Sequence, residues 1–238
     1  MVRKLAIVAS TAACCLAQFA PPPQADSPEE FDSYLAVVDA SAPAAVIAAG
    51  EVFVRAWPGS GLRGHVYEME FEAYRRLGDA DKAIEAGEKS LAAAPDNLIM
   101  LANLSVALAN GTRDAKRLAR AEMYARKAIE LSTSMRLPKF IHPDEWEQIN
   151  ARVNSQAHAA LGLVANQRGA IQHAIQEFET AVKLAPEPDA TQYYRLGLLY
   201  HVIGNISGAR EKLQRAMELN EPGIRELAEQ QLRQLPKR

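Results

Sequence analysis

Cysteine is almost absent from this chain of 238 residues, which has only Cys14 and Cys15. Both lie in an uncharged stretch, residues 5–20, that follows Arg3 and Lys4. If this stretch is removed from the mature protein, no thiol remains. That excludes disulfides, thiolate nucleophiles and thiolate metal sites.

Clustered basic residues are absent as well. The net charge is −2, and no block of Lys and Arg occurs anywhere in the sequence. Because nucleic acid is bound through clustered positive charge, we do not expect it as the main ligand. The composition, 48% hydrophobic and 24% charged, is that of a folded soluble chain rather than a disordered one.

Catalytic and metal-binding motifs are also missing. The sequence has no nucleophile elbow, P-loop or GxGxxG. Glu68 and Glu72 lie one turn apart, but glutamates at this spacing are typical of a solvated helix face. We therefore expect no enzyme, no cofactor and no metal. The histidines form no HExxH or H-x3-H pair with a carboxylate; they are His65, His142, His158, His173 and His201.

The N-terminus has the pattern of a secretory signal peptide. A short basic segment precedes the uncharged stretch, which is too short to span a membrane comfortably and is followed by three prolines. Cleavage is expected after Ala17, near Ala20 or near Ala25, which gives a leader of about 1–17 to 1–25 and a periplasmic or secreted protein. The alternatives are an uncleaved anchor and a lipid attached to Cys14 or Cys15.

Two C-terminal stretches match each other at an offset of 35 residues. Gly162 and Gly197 are each followed after 12 residues by Ala174 and Ala209. A large apolar residue, Phe178 or Leu213, comes four residues later in each case. Small residues at a helix crossing allow the two axes to approach closely. We expect each glycine to face the second helix of its own pair, opposite the alanine and beside the large residue.

The turns of the two units are also marked. Gly169 and Gly204 stand between the two apolar runs, where a helix ends in a left-handed conformation that favours glycine. Pro186 ends the second helix of the first stretch. This L-G, Y, A-x3-F and P pattern resembles the tetratricopeptide repeat, a helix–turn–helix unit that stacks into a solenoid.

The resemblance implies an all-α fold, a right-handed α-solenoid of helix–turn–helix repeats with an N-terminal helical pair and a C-terminal capping helix. The expected organisation is a signal peptide and Pro-rich leader (1–25), a helical pair (26–62), repeats 1–2 (63–131), an insertion with a helix extension (132–154), repeats 3–4 (155–222) and a capping helix (223–238).

The first repeat departs from the pattern. Phe71 stands where the first-helix glycine belongs, Glu70 where the leucine belongs, and Gly87 where the large residue of the second helix belongs. Phe71 packed over Gly87 would conserve the volume of the crossing. His158 takes the place of the family's tryptophan and is expected to be a packing residue.

Residues 132–154 are the largest irregularity. Pro143, Asp144 and Glu145 are typical of a helix start, and apolar residues recur at helical spacing from Trp146 onward. The sequence predicts that the first helix of the third repeat has about 24 residues and extends well past the neighbouring helices. Either Leu137, Phe140 and Ile141 fold back over Trp146, or this tip is an exposed apolar docking site.

In this family the concave groove is lined by first-helix residues. The resemblance assigns these residues to a protein-binding groove: His65, Glu68, Glu72, Arg75, Ile99, Ala102, Val106, Ala109, Gln156, Ala159, Leu163, Asn166, Thr191, Tyr194, Leu198 and His201. Members that hold chaperone C-termini place Lys and Asn in the first repeat. Glu68 and Glu72 stand there in this chain, which disfavours that ligand and favours a peptide with a basic end.

The expected function is a non-catalytic adaptor or scaffold in the cell envelope that binds a protein or an extended peptide. The alternative is a fixed subunit of an envelope or outer-membrane assembly that docks through Trp146, Phe140 and Ile141. For four of the groove residues, Ile99, Val106, Leu163 and Leu198, the other interpretation is packing between repeats.

Overall fold

The computed structural model describes residues 24–138 and 141–236. The expected leader, with Cys14 and Cys15, lies outside the described residues except for its last two positions. Phe140, which belongs to the expected docking tip, also lies outside the described residues.

Over the described ranges the chain forms eleven α-helices and no β-strand. The predicted all-α class is therefore confirmed. The helices are α1 (Pro28–Val38), α2 (Pro43–Ala56), α3 (Arg63–Leu77), α4 (Ala80–Ala93), α5 (Leu98–Ala109), α6 (Ala115–Ser134), α7 (Pro143–Gln167), α8 (Ile171–Leu184), α9 (Ala190–Val202), α10 (Ile206–Glu218) and α11 (Ile224–Gln234).

Short polar side chains define where many of these helices begin. The Ser27 side chain accepts a hydrogen bond from Glu30 N at 3.1 Å, and Pro28 occupies the first turn of α1. Such a cap stabilises a helix by about 1 kcal/mol because it satisfies a backbone N–H that has no partner in the helix. Equivalent caps are Asp79 on α4, Asn97 at the start of α5, Asp114 on α6, Asp189 on α9 and Asn205 on α10.

The packing divides the chain into two units, with the boundary between Ala107 and Leu108. In the first unit, α3 packs against α1, α2 and α4, and α1 packs against α2. In the second unit, each helix from α6 to α10 packs against the next, and α11 also packs against α9. Contacts between successive helices are what stacked helical repeats require.

The glycine crossings of the last two repeats are present, with a correction to their partners. A Cβ at residue 162 would lie 2.7 Å from Phe178 Cδ2, and one at residue 197 would lie 2.7 Å from Leu213 Cγ. The large residues, not Ala174 and Ala209, are therefore the nearest neighbours of the glycines. Each glycine leaves the space that its large partner fills.

The exchanged crossing of the first repeat is confirmed. A Cβ at residue 87 would lie 3.1 Å from Phe71 Cδ2 and 3.1 Å from Leu104 Cδ1. Phe71 is buried, with 1% of its surface exposed. The first helix supplies the bulk here, and the second helix supplies the space.

The predicted turn glycines and the long helix also agree with the structure. Gly169 and Gly204 have φ angles of 78° and 77°, in the left-handed region. Helix α7 begins at Pro143 and has 25 residues, which corresponds to about 37 Å. A hydrogen bond of 3.1 Å joins Ser132 Oγ to Asn154 Oδ1. Helix α6 ends two residues after Ser132, whereas α7 extends from Asn154 back to Pro143.

Candidate functional site

The predicted groove residues of the first unit form a partly buried polar cluster on α3. The Asn97 side chain donates a hydrogen bond to Glu68 Oε1, and Asn97 Oδ1 accepts one from Met100 N at 3.0 Å. His65 Nδ1 lies 3.9 Å from Glu68 Oε2, too far for a hydrogen bond. Asn97 thus fixes the start of α5 and the position of Glu68 together.

Burial changes the charge of this cluster. It raises the pKa of Glu68 to about 8, and the hydrogen bond from Asn97 offsets only part of that rise. Burial also lowers the pKa of His65. At neutral pH the Glu68 carboxyl is therefore mostly protonated, which the spacing of Glu68 and Glu72 did not predict.

Glu72 and Arg75 are exposed and form an ion pair, with 2.9 Å between Glu72 Oε2 and Arg75 Nε. An exposed pair of this kind contributes little to stability and leaves both groups accessible to a ligand. The two apolar positions of α5, Ile99 and Val106, are half-buried. Ala102 and Ala109 on the same helix are fully buried.

In the second unit the predicted residues divide between core and surface. Leu163 and Ala159 are buried, with 5% and 7% of their surfaces exposed, whereas Asn166 is exposed. Leu163 therefore packs inside the unit, in agreement with the packing interpretation of this residue. Gln156 and Thr191 are half-buried.

Helix α9 provides a more open apolar surface than α7 does. Tyr194 and Leu198 are half-buried, although Leu196 and Leu199 on the opposite side are 1% and 4% exposed. Tyr194 packs against the cluster of Ala209, Leu213, Ala216, Ala228 and Leu235. His201 Nδ1 lies 3.1 Å from Gln231 Nε2, so α11 contacts the last of the predicted residues.

The alternative docking tip is only partly open. Ile141 is buried, with 7% exposed, and Trp146 is half-buried. Leu137 is 42% exposed.

A carboxylate between two histidines was not predicted. His158 Nδ1 donates to Glu177 Oε2 at 2.7 Å, and His173 Nε2 donates to Glu177 Oε1 at 3.0 Å. Burial alone would raise the pKa of Glu177, but the hydrogen bonds and electrostatic interactions with His158 and His173 outweigh burial, and the pKa lies below its usual range. His158, which was expected to be a packing residue, is half-buried and also donates a hydrogen bond to α8. The sequence did contain a signal for this contact, because His158 is a polar residue at the position where the family has tryptophan.

Two cavities lie within single units. One, of about 440 Å³, is an open cleft bordered by α2, α3 and α4 and is lined by Glu70, Tyr67 and Tyr74, among others. The other, of about 460 Å³, lies beside the loop between α8 and α9 and is lined by Arg152, Gln192 and Glu221.

The described residues contain no group of three or more His, Cys, Asp and Glu side chains that could hold a metal ion. Among the same residues, no helix combines the length and the apolar character needed to cross a membrane.

Known proteins resemble this chain in repeat pattern and in fold. The family model of the tetratricopeptide repeat matches residues 72–97 and 155–188. These ranges fall in the first and third expected repeats. No curated protein matches the sequence.

Solved structures share the fold at low identity. MamA (residues 41 to the end) from Desulfovibrio magneticus RS-1 is 18% identical, with a TM-score of 0.56, over 82% of this chain and 97% of that one. PilW, described as a widely conserved type IV pilus biogenesis factor, is 14% identical with a TM-score of 0.58, over 81% and 78%.

A thermophilic tetratricopeptide repeat protein from Thermus thermophilus is 20% identical, with a TM-score of 0.51, over 84% of this chain and 97% of that one. The repeat matches, the helix pairs and the crossings at Gly87, Gly162 and Gly197 point to one family. The chain contains matches to the tetratricopeptide repeat at residues 72–97 and 155–188 and has the fold of tetratricopeptide repeat proteins.

Proposed function

We propose that the chain is a non-catalytic scaffold that binds a protein or an extended peptide on the first-helix surfaces of its repeats. The observation that carries this proposal is the surface of α9, where Tyr194 and Leu198 remain half-buried beside a closely packed core. Large aromatic side chains that are partly exposed on a rigid helix are suited to act as anchors for a partner.

The first unit offers a different surface. Ile99 and Val106 provide partly exposed apolar area, and Glu72 with Arg75 provides exposed charge. Glu68 is mostly uncharged at neutral pH, so Glu72 carries the negative charge of this surface. A basic group on the ligand meets one carboxylate here instead of two, and the effect of salt on association is correspondingly modest.

Export to the cell envelope is part of the same proposal. It is supported by Arg3, Lys4 and the uncharged stretch of residues 5–20. Mass spectrometry of the mature protein should find an N-terminus between Gln18 and Asp26. An intact Met1 on cytosolic protein would contradict export and leave the binding proposal standing.

The binding proposal is tested with peptides selected from a random library against the purified chain. Tyr194→Ala should raise the dissociation rate of a selected peptide by about 5- to 30-fold, which corresponds to about 1–2 kcal/mol of lost binding free energy. Tyr194→Phe is the matched control, because it keeps the ring and removes only the hydroxyl group.

Trp146→Ala is expected to leave peptide binding unchanged. If binding survives Tyr194→Ala and is lost with Trp146→Ala, the surface of α9 is not the binding element. That result would favour docking through the N-terminal part of α7.

A further inference from the structure

The cavity between α2, α3 and α4 contains a buried acid that the proposed scaffold function does not use. Glu70 is only 6% exposed, and its side chain lines this cavity of about 440 Å³. It stands where the repeat pattern has a leucine. A buried ionisable group in a place that favours an apolar one is a candidate for a binding role.

Glu70 has no hydrogen bond and no ion pair within 4 Å among the residues that the structure describes. The side chain is buried, and its carboxyl, which has no partner in the protein, is left to interact with whatever fills the cavity. Helix α2 holds it in place at Gly50, where a Cβ would overlap the carboxylate and would lie 3.1 Å from Glu70 Cγ. The close approach of α2 therefore fixes the carboxyl at the wall of the cavity.

The lysines around the cavity are already engaged elsewhere. Lys89 pairs with Glu85 at 2.7 Å and lies 5.7 Å from the centre of the Tyr67 ring. Lys82 pairs with Asp79 at 3.5 Å. It lies over the Tyr74 ring, 5.5 Å from its centre. Neither lysine contacts Glu70 directly.

Among the described residues, the lining of the cavity gives Glu70 no direct cationic partner. Burial raises the pKa of Glu70 to about 7; Lys89 opposes the rise, and Glu51 and Glu85 add to it. The other charged groups that line the cavity are Glu51 and Arg55 on α2 and Lys82, Glu85 and Lys89 on α4. Lys82 and Lys89 each have another carboxylate partner, and Arg55 is the third basic residue of the lining.

We propose that this cavity binds an alkylammonium group, the end of a lysine side chain or of a small primary amine, through a charged hydrogen bond to Glu70. An ammonium carries three donors and no acceptor, which matches a carboxylate that lacks a donor. Its methylene chain packs against the rings of Tyr67 and Tyr74 and against Val54 and Ala86.

The direct test is a titration of the full chain followed by amide NMR. The probes are Nα-acetyl-lysine N-methylamide, pentylamine and, as the neutral control, Nα-acetyl-norleucine N-methylamide. Both amines should give saturable shifts at amides of α3 and α4, and the norleucine derivative should give none. Tighter binding of the lysine derivative indicates a protein side chain as the natural source, and tighter binding of pentylamine indicates a small amine.

Glu70→Gln should weaken binding of either amine at least tenfold, because the carboxamide keeps the shape and loses the charge. Asp32→Asn is the control, since Asp32 is an exposed acid on α1 outside the cavity. Gly50→Ala is a second variant, which should displace the carboxylate and weaken binding as well. Far-ultraviolet circular dichroism establishes that each variant is folded.

The pH dependence separates a charged contact from simple packing. Below the Glu70 pKa of about 7, amine affinity should rise by about tenfold per pH unit, and it should level off above it. Glu70→Gln should remove this slope. Equal binding of the norleucine derivative, no saturable shift with either amine, or the same affinity at pH 5.5 and 8 would overturn the proposal. None of these results bears on peptide binding at α9.

Discussion

The crossing of the first repeat and that of the third repeat solve the same packing problem with opposite residues. In the first repeat Phe71 on α3 fills the space above Gly87 on α4. In the third repeat Phe178 on α8 fills the space above Gly162 on α7. Both phenylalanines are 1% exposed. A crossing requires one large and one small residue, and the fold accepts either order because the total volume is the same.

The two crossings differ more in the acidic residues near them than in their apolar packing. The first repeat buries two carboxyls, Glu68 and Glu70, whose pKa values burial raises to about 8 and about 7. The third repeat has Glu177, which two histidines hold with a pKa below its usual range. The first repeat therefore keeps acids that favour the protonated form, and the third keeps one that favours the charged form.

The largest expected effect concerns the two phenylalanines. Phe71→Ala and Phe178→Ala should each lower the free energy of unfolding by about 3–5 kcal/mol, since each removes a buried ring beside a glycine that cannot fill the space. Urea denaturation measures the loss, and hydrogen exchange should locate it in the unit that carries the substitution. A loss below about 1 kcal/mol in either variant would break the equivalence of the two crossings.

A smaller effect is expected from filling the space on the glycine side. Gly197→Leu should cost about 1–3 kcal/mol, because a Cβ there already lies 2.7 Å from Leu213 Cγ and 3.2 Å from Leu213 N. Backbone atoms cannot move aside as a flexible side chain does. Hydrogen exchange should show faster opening of α9, α10 and α11, with α3 and α4 unchanged. Protection equal to wild type throughout would mean that residue 197 is not at a tight crossing.

The smallest effect is the dependence of stability on pH. Between its ordinary pKa of 4.5 and its folded-state pKa of about 8, Glu68 binds more protons in the folded chain than in the unfolded one. Its contribution to stability is therefore lost as the pH rises through about 8. Between pH 5 and 8 the free energy of unfolding should fall by at most about 1.4 kcal/mol per pH unit, and Glu68→Gln should reduce the slope.

Glu177 should behave in the opposite sense. Its lowered pKa means that the folded chain binds fewer protons, so its contribution is present above pH 4.5 and lost as the pH falls below that value. At pH 4 the amides of α8 should exchange faster than at neutral pH, and this increase should be larger in wild type than in Glu177→Gln. The same response in both variants would show that the His158 and His173 contacts do not stabilise the third repeat.

Much of the fold was predictable because it depends on local spacing. The turn at Gly169, the start of α7 at Pro143 and the exchange of Phe71 and Gly87 all follow from residue size and backbone preference. The partner of Gly162 was harder to predict, since Ala174 and Phe178 lie on the same face of α8 and only the axial offset of the helices selects between them.

The candidate site was less predictable, because exposure depends on neighbours that lie far along the chain. Leu163 and Leu198 hold equivalent repeat positions, yet Leu163 is buried and Leu198 is partly exposed. The contact of His201 with Gln231 depends on where α11 packs, which the repeat pattern does not specify.

By itself the sequence determined the helices, their turns and the pairing of large with small residues, because these depend on short-range sterics and on a periodic apolar pattern. Only the tertiary structure decided which acids are charged. Glu68, Glu70 and Glu72 are the same residue type within one helix, but only Glu72 is exposed. The desolvation that raises the pKa values of Glu68 and Glu70 comes from the packing of other helices against α3.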